Sequence, residues 1–322
     1  MRVLVTGASS LIGRHTVERL VDRGHSVTTL QRSASGLGTD EVLGSITDPA
    51  ALARACAGQD AVIHLAAKVG VTGPWDEFES VNVHGTVGLL DAARRAGVRG
   101  VVHVSSPSVA HAGHALVGAG VAPADPSATR GHYATSKAMA ELAALDASSA
   151  DLPVIAIRPH LVWGPGDTQL VGRIVERARQ GRLALVGSGA ALIDTTYVDN
   201  AADALVAALD RVGELAGQAF VVSNGEPRTV HELVTRIVAA AGVACTPRRV
   251  PVRLAIAGGT AIERLWDRTG RTDDPPMTGF LAEQLSTAHW FDQGATRAAL
   301  GWEPTVTLAE GFDRLAACYR QR

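Results

Sequence analysis

"VLVTGASSLIGRH", residues 3–15, is the stretch on which the reading of the fold turns. An apolar run, Val3–Val5, leads into Gly7, Ser10 and Gly13 at Gly-x-x-x-x-x-Gly spacing. An amphipathic segment that reads as a helix from Leu11 to Arg23 follows. Strand, glycine turn and helix in that order make a dinucleotide loop. Glycine lets the backbone approach a pyrophosphate, and the helix N-terminus offers unpaired N–H groups and a positive dipole end. A tight turn without a ligand is the competing reading, and the flanking strand and helix weigh against it. Ser10 stands where a middle glycine is usual.

The pattern continues outward. "HSVTTL" (25–30), "DAVIHLAA" (60–67), "GVVHVSS" (100–106) and "PVIAIRP" (153–159) are short apolar runs alternating with amphipathic stretches. That alternation predicts βαβ units and a parallel sheet. Residues 75–97 predict one long helix ended by Gly97, and residues 133–147 another. Beyond about Gly164 the pattern is mixed, with helices predicted near 168–180, 199–211 and 229–241. The expected architecture is α/β: a Rossmann-type doubly wound parallel sheet over residues 1–163. A smaller C-terminal substrate lobe, 164–322, interleaves with it and returns some segments to the sheet.

Composition narrows the function. The 322 residues carry 46% hydrophobic and 19% charged side chains and a net charge of −2, with no basic run. Nucleic-acid binding is therefore disfavoured, because phosphate neutralisation needs clustered cations. Cys56, Cys245 and Cys318 are odd in number and far apart, giving neither a disulfide framework nor a metal-ligand spacing. "MRVLVTG" reads directly as a buried strand, which leaves no room for an export signal. A reducing, cytoplasmic location without a metal is expected. No transmembrane segment is expected either.

Three positions carry chemistry. "TTLQRS" ends the second strand with Gln31 and Arg32, where an acidic residue would bind a ribose 2′-hydroxyl; arginine there suits a 2′-phosphate, hence NADP(H), with NAD(H) possible. A solvated surface role for Arg32 is the alternative. Tyr133 and Lys137 share one helix face a turn apart. With three tyrosines and two lysines in the chain, a chance Tyr-x-x-x-Lys is expected about 0.02 times. An ammonium beside the phenol is expected to lower its pKa and make it a usable proton donor. Lysine, a compact point charge, can also hold a ribose hydroxyl. Ser105 and Ser106 end a strand where a hydroxyl can meet a substrate oxygen, and Ser106 is favoured over a turn role.

"TGASSLIG", "HLAA", "VNVHGT", "VSSPSV", "YATSK", "RPHLVWGPGD", "YVDNAADA" and "ALGWEP" fall in the order and spacing of the extended short-chain dehydrogenase/reductases. The chain resembles that family over essentially its whole length. It is most similar to the 3β-hydroxysteroid dehydrogenase-like branch and, within it, to the bacterial 2-alkyl-3-oxoalkanoate reductases of long-chain olefin biosynthesis. The resemblance implies that Ser106 orients the substrate oxygen, Tyr133 exchanges its proton and Lys137 binds the nicotinamide ribose. It implies that Gly7, Ser10, Leu11 and Ile12 hold pyrophosphate with Ser9 and Gly13 beside them, and that Leu65 and Ala66 lie against the cofactor. Pro159 would sit near the nicotinamide amide. Ser45, followed by Ile46, replaces an aspartate the family often aims at adenine. Homodimers are common in the family, and partner enzymes of a lipid or olefin pathway are implied.

Other features read less sharply. Asp199 or Asn200 is expected to cap the helix that follows. His160 and Trp163, just past a strand end, are candidates to line the substrate pocket. His64, His103, His111, His114, His132 and His289 are expected to be structural or solvated. Residues 250–266 are apolar but broken by arginines, glycines and Glu263. They are too short and too charged to span a bilayer. Packing within the second lobe is the leading reading, a mobile cover over a greasy substrate the alternative. The expected activity is NADPH-dependent, reversible reduction of a long-chain ketone, such as a 2-alkyl-3-oxoalkanoate. Alternatives are a 3β-hydroxysteroid or sterol dehydrogenase, an NAD-dependent nucleotide-sugar epimerase, and a non-catalytic NAD(P)-sensing regulator.

Overall fold

The computed structural model describes residues 1–70, 72–110, 113–269, 275 and 277–321; His111 lies outside them. Seven parallel strands form the central sheet. Their order is Ala219–Val222, Val154–Pro159, Val101–Val104, Ala61–His64, Arg2–Thr6, Ser26–Gln31, Asp40–Leu43. Ala61–His64 and Val101–Val104 are buried at every residue. Helices cover both faces, which is why these strands read as continuous apolar runs rather than alternating ones.

Period-2 side-chain alternation divides the core. Val5, Ile63, Val102 and Ile157 face helices Leu11–Asp22 and Val198–Asp210, meeting Val17, Leu20, Leu205 and Leu209. Leu4, Val62, Val101 and Val154 face the other way, onto Leu52 and Leu89 of helices Pro49–Cys56 and Gly85–Ala96. Burying one such aliphatic side chain contributes roughly 1.5–3 kcal/mol, against tenths for helix propensity. Pattern therefore sets which face turns inward.

The second lobe packs around Trp163, Leu233, Ile237 and Phe312. Exchange with the sheet runs in both directions. Ala219–Val222 joins the large sheet from late in the chain, while the early strand Leu116–Ala119 joins a small sheet with Arg228–Thr229, Leu192–Ile193 and His289–Phe291. The long helix predicted over 75–97 is interrupted. Trp75–Phe78 and Gly85–Ala96 are α-helical, Glu79–His84 between them is a π-turn, and Gly97 ends the run at φ 73°.

Helix His132–Asp146 is anchored beneath by a buried ion pair. Arg158 Nε donates to Glu141 Oε2 at 2.9 Å and Arg158 Nη1 to the Ala122 carbonyl at 2.7 Å. The helix carrying Tyr133 is thereby fixed to strand Val154–Pro159.

Candidate active site

Arg2–Thr6 and Ala61–His64 are neighbours in the sheet although far apart in sequence, so the turn after Thr6 opens at the point where strand order reverses. Gly7 has φ 73°, and a Cβ there would lie 2.8 Å from the Ala66 backbone nitrogen. Only glycine lets the two strand ends come this close. Ser10 caps helix Leu11–Asp22: its hydroxyl accepts from the Gly13 N–H at 3.1 Å and its carbonyl takes the Arg14 N–H. The first-turn N–H groups of Leu11 and Ile12 have no intrahelical acceptor and remain for a phosphate.

Gly7, Ser9, Ser10, Arg32, Ser45, Ile46, Leu65 and Ala66 line one cleft of about 880 Å³ in front of this helix end. Glycine turn, unpaired N–H groups and cleft fit a dinucleotide. Arg32 is exposed at the cleft wall with no ion pair among the described residues. An acid does stand nearby, on the next strand: Glu41 accepts from Gln31 Nε2 at 3.0 Å and from the Ser35 N–H at 2.8 Å. The Ser35 hydroxyl beside it holds its carboxyl below the ordinary value, and it does not line the cleft.

A second cavity, of about 520 Å³, adjoins helix His132–Asp146. Ser106, Tyr133, Pro159 and His160 line it. Burial pushes the Tyr133 phenol above its ordinary pKa, and the Ser106 hydroxyl hydrogen-bonded to it pulls it part of the way back. Lys137 is buried, its Nζ donating to the Val104 carbonyl at 2.7 Å. Burial pushes that ammonium down to about 8, opposed by the Glu141 carboxylate one turn further on. Lys137 is not among the groups that move Tyr133. The expected lowering of the phenol by that ammonium is absent: desolvation raises it, and the phenol stays protonated at neutral pH.

His160 Nδ1 is hydrogen-bonded to Asp194 Oδ1, and its ring meets those of His289 and Phe291 edge-on at 5.2 Å each. Helices Val252–Thr269 and Gly279–Ser286 close the outer side with Ile256, Thr260, Glu263, Phe280 and Glu283. A Cβ on Gly259 would lie 2.5 Å from the Thr278 carbonyl carbon, so these helices touch backbone to backbone.

Residues 3–223 match the NAD dependent epimerase/dehydratase family. The chain belongs to that family. It is an NAD(P)-dependent oxidoreductase of the extended short-chain dehydrogenase/reductase type. It is 41% identical to a 2-alkyl-3-oxoalkanoate reductase of Stenotrophomonas maltophilia, over 98% of this chain and 99% of that one. It is 32% identical to a 3β-hydroxysteroid dehydrogenase/Δ5→4-isomerase of Mycobacterium tuberculosis, over 99% and 90%. A short-chain dehydrogenase/reductase superfamily protein from Agrobacterium tumefaciens, solved with bound NAD, superposes with a TM-score of 0.79 at 23% identity, over 100% of this chain and 98% of that one.

Several expectations for this family member change. Trp163 does not line the cavity. It is 1% exposed, bonded through Nε1 to Thr195 and stacked on Phe312, because Val162–Trp163 pairs with Thr196–Tyr197 and turns the indole inward. Neither Asp199 nor Asn200 is an N-cap: the helix begins at Val198 after Tyr197, with no side-chain cap. Asp199 instead takes His15 and Arg314, and Asn200 bonds Asn224 and Val306.

His64 and His103 are buried and held well below the ordinary histidine pKa by desolvation. His114 is exposed. His132 and His289, read as structural or solvated, line the cavity. Segment 250–266 packs on the lobe through Val250, Val252, Ala255 and Ile256, which meet Val186, Ala282 and Leu285, and it also lines the cavity. One face of its helix walls the cavity, while Leu254 and Leu265 on the other are exposed.

Asn82, in the quoted "VNVHGT", received no role from sequence. Its Oδ1 accepts the Lys68 N–H at 2.7 Å, and its Nδ2 donates to the Lys68 carbonyl at 3.1 Å and to Ser136 Oγ at 2.9 Å. It joins the π-turn, the cleft wall and helix His132–Asp146.

Proposed function

We propose that the chain catalyses reversible, NADPH-dependent reduction of the ketone of a long-chain 2-alkyl-3-oxoalkanoate to the 3-hydroxyalkanoate. The observation that carries this reading is the Tyr133–Ser106 pair opening into a cavity whose walls include Leu161, Ile256, Phe280 and Phe291. Such walls suit alkyl chains and offer no clamp for a sugar diphosphate. The 41% identical relative is named for this reaction.

A bound reduced nicotinamide supplies the hydride. Tyr133, kept protonated by its burial, donates its phenolic proton to the substrate oxygen that gains negative charge, and Ser106 orients that oxygen. Lys137 offers its ammonium to a ribose hydroxyl from its seat on Val104. Arg32 supports NADP(H) over NAD(H) through a 2′-phosphate. A 3β-hydroxysteroid is a second reading, favoured by the 32% identical relative.

The test is reduced-nicotinamide absorbance with NADPH or NADH against long-chain 3-oxoalkanoates, steroids and nucleotide sugars. Turnover of the 3-oxo acids with NADPH is expected. Turnover confined to steroids or nucleotide sugars overturns the reading.

A further inference from the structure

We propose that His160, seated on the buried Asp194 carboxylate, binds the carboxylate of an acidic substrate and selects acids over neutral ketones. This rests on the substrate reading above and says which group recognises the acid end. Asp194 is fully buried. Its Oδ2 accepts from the Ser223 hydroxyl at 2.7 Å and the Phe291 N–H at 3.1 Å, while Oδ1 holds His160 Nδ1. Three donors from three segments fix that carboxylate, and the flanking rings of His289 and Phe291 fix the imidazole. His160 is 7% exposed and spends that exposure on the cavity that Tyr133 and Ser106 line. Nε2 has no hydrogen-bond partner among the described residues.

Ring chemistry then selects the ligand. A neutral imidazole that donates from Nδ1 has only a lone pair at Nε2, whereas the imidazolium donates from both nitrogens. A carboxylate oxygen at Nε2 matches the imidazolium, whose charge Asp194 balances. In a 3-oxo acid the carboxyl carbon is two bonds from the ketone carbon, so the group that reads it must stand beside the Tyr133–Ser106 pair. Pro159 and His160 line the same cavity as that pair. Arg130, also in the lining, is held by Glu283, and Glu263 and Glu283 make that rim unfavourable to an anion.

The experiment compares a 2-alkyl-3-hydroxyalkanoate with its methyl ester, oxidised with NADP⁺, since the hydroxy acid does not lose carbon dioxide. Wild type is expected to favour the acid in kcat/KM by roughly 10- to 100-fold. In His160→Asn the amide keeps a donor for Asp194 and the Nε2 end is lost. The ratio should fall to within about twofold through KM for the acid, with the Kd of NADPH and Tm unchanged. Arg130→Gln should keep the ratio.

A wild-type ratio near one, a ratio that survives His160→Asn, or one that collapses with Arg130→Gln overturns the inference while leaving the reductase reading in place. If neither compound turns over, that reading falls, and Kd values of acid and ester for the NADP⁺-loaded protein decide this inference separately by the same ratio. If the variant does not fold, ¹⁵N-histidine spectra of wild type decide: the acid, not the ester, must create a doubly protonated ring.

Discussion

Lys137 Nζ sits on a backbone carbonyl with its side chain buried beneath Tyr133's helix, and burial pushes its pKa down to about 8. The folded value lies below the ordinary 10.5. Between about 8 and 10.5 the folded state therefore binds fewer protons than the unfolded one, and stability rises with pH across that window. Below it the buried cation costs roughly 3 kcal/mol. Lys137→Met is accordingly expected to raise the denaturation midpoint at pH 7 while reducing turnover, and its stability gain should vanish by pH 10.5. Turnover that needs the ammonium should fall in the wild type as pH rises through 8, which a kcat/KM profile measures. Tyr133→Phe should lose about 10²–10⁴-fold in kcat, the span of a positioned general acid, with NADPH binding retained in a fluorescence titration. At Arg32, replacement by Asp should invert the NADPH-to-NADH ratio of kcat/KM; an unchanged ratio would make the guanidinium a surface group only.

Helices Val252–Thr269 and Gly279–Ser286 show where an element escapes sequence reasoning. A period-3.6 apolar stripe says that a face is covered, not by what. Here the cover is partly a second helix at backbone contact through Gly259 and partly the open cavity behind Ile256. Ile256→Asn is expected to raise KM for long-chain substrates at least fivefold more than for short ones, measured on a chain-length series. Equal losses would assign the helix to packing alone. The glycine turn at the cleft and the placing of Tyr133 and Lys137 on one helix were legible because loop spacing and one helical turn fix them locally. The His160–Asp194 pair, the Arg158–Glu141 anchor and the π-turn at Asn82 were not, because each depends on segments 17 to 54 positions apart meeting in space. Trp163 was misplaced for the same reason: being near a strand end does not say which way the ring turns.

Across the molecule, the dinucleotide loop and the second lobe are joined by one strip of charge. Helix Leu11–Asp22 lies along Val198–Asp210 with Arg19 on Asp203 at 2.9 Å and Arg23 on Asp210 at 3.1 Å. Asp199 sits where the strip meets the C-terminal helix Leu308–Arg320, taking His15 Nδ1 at 2.7 Å and Arg314 Nη1 at 2.8 Å, with Arg19 at 3.5 Å. The bond from His15, with its charge and those of the arginines, holds this buried carboxyl below its ordinary value. A depressed carboxyl adds stability above the unfolded pKa of 3.8, and that stability is lost as pH falls through the folded value. Asp199→Asn leaves His15 and Arg314 without their anion, so Tm at pH 7 should fall by about 2–6 °C. The gap between variant and wild type should narrow as pH falls below 3.8 and through the lower folded value, where the wild-type carboxyl also gains its proton. Because His15 lies on the first turns of the helix whose N-terminus faces the cleft, the same substitution should weaken NADPH binding about two- to fivefold without changing kcat. A gap in Tm that stays constant from pH 7 down through the titration of the folded wild-type carboxyl would show that the carboxylate charge contributes nothing to joining the two lobes.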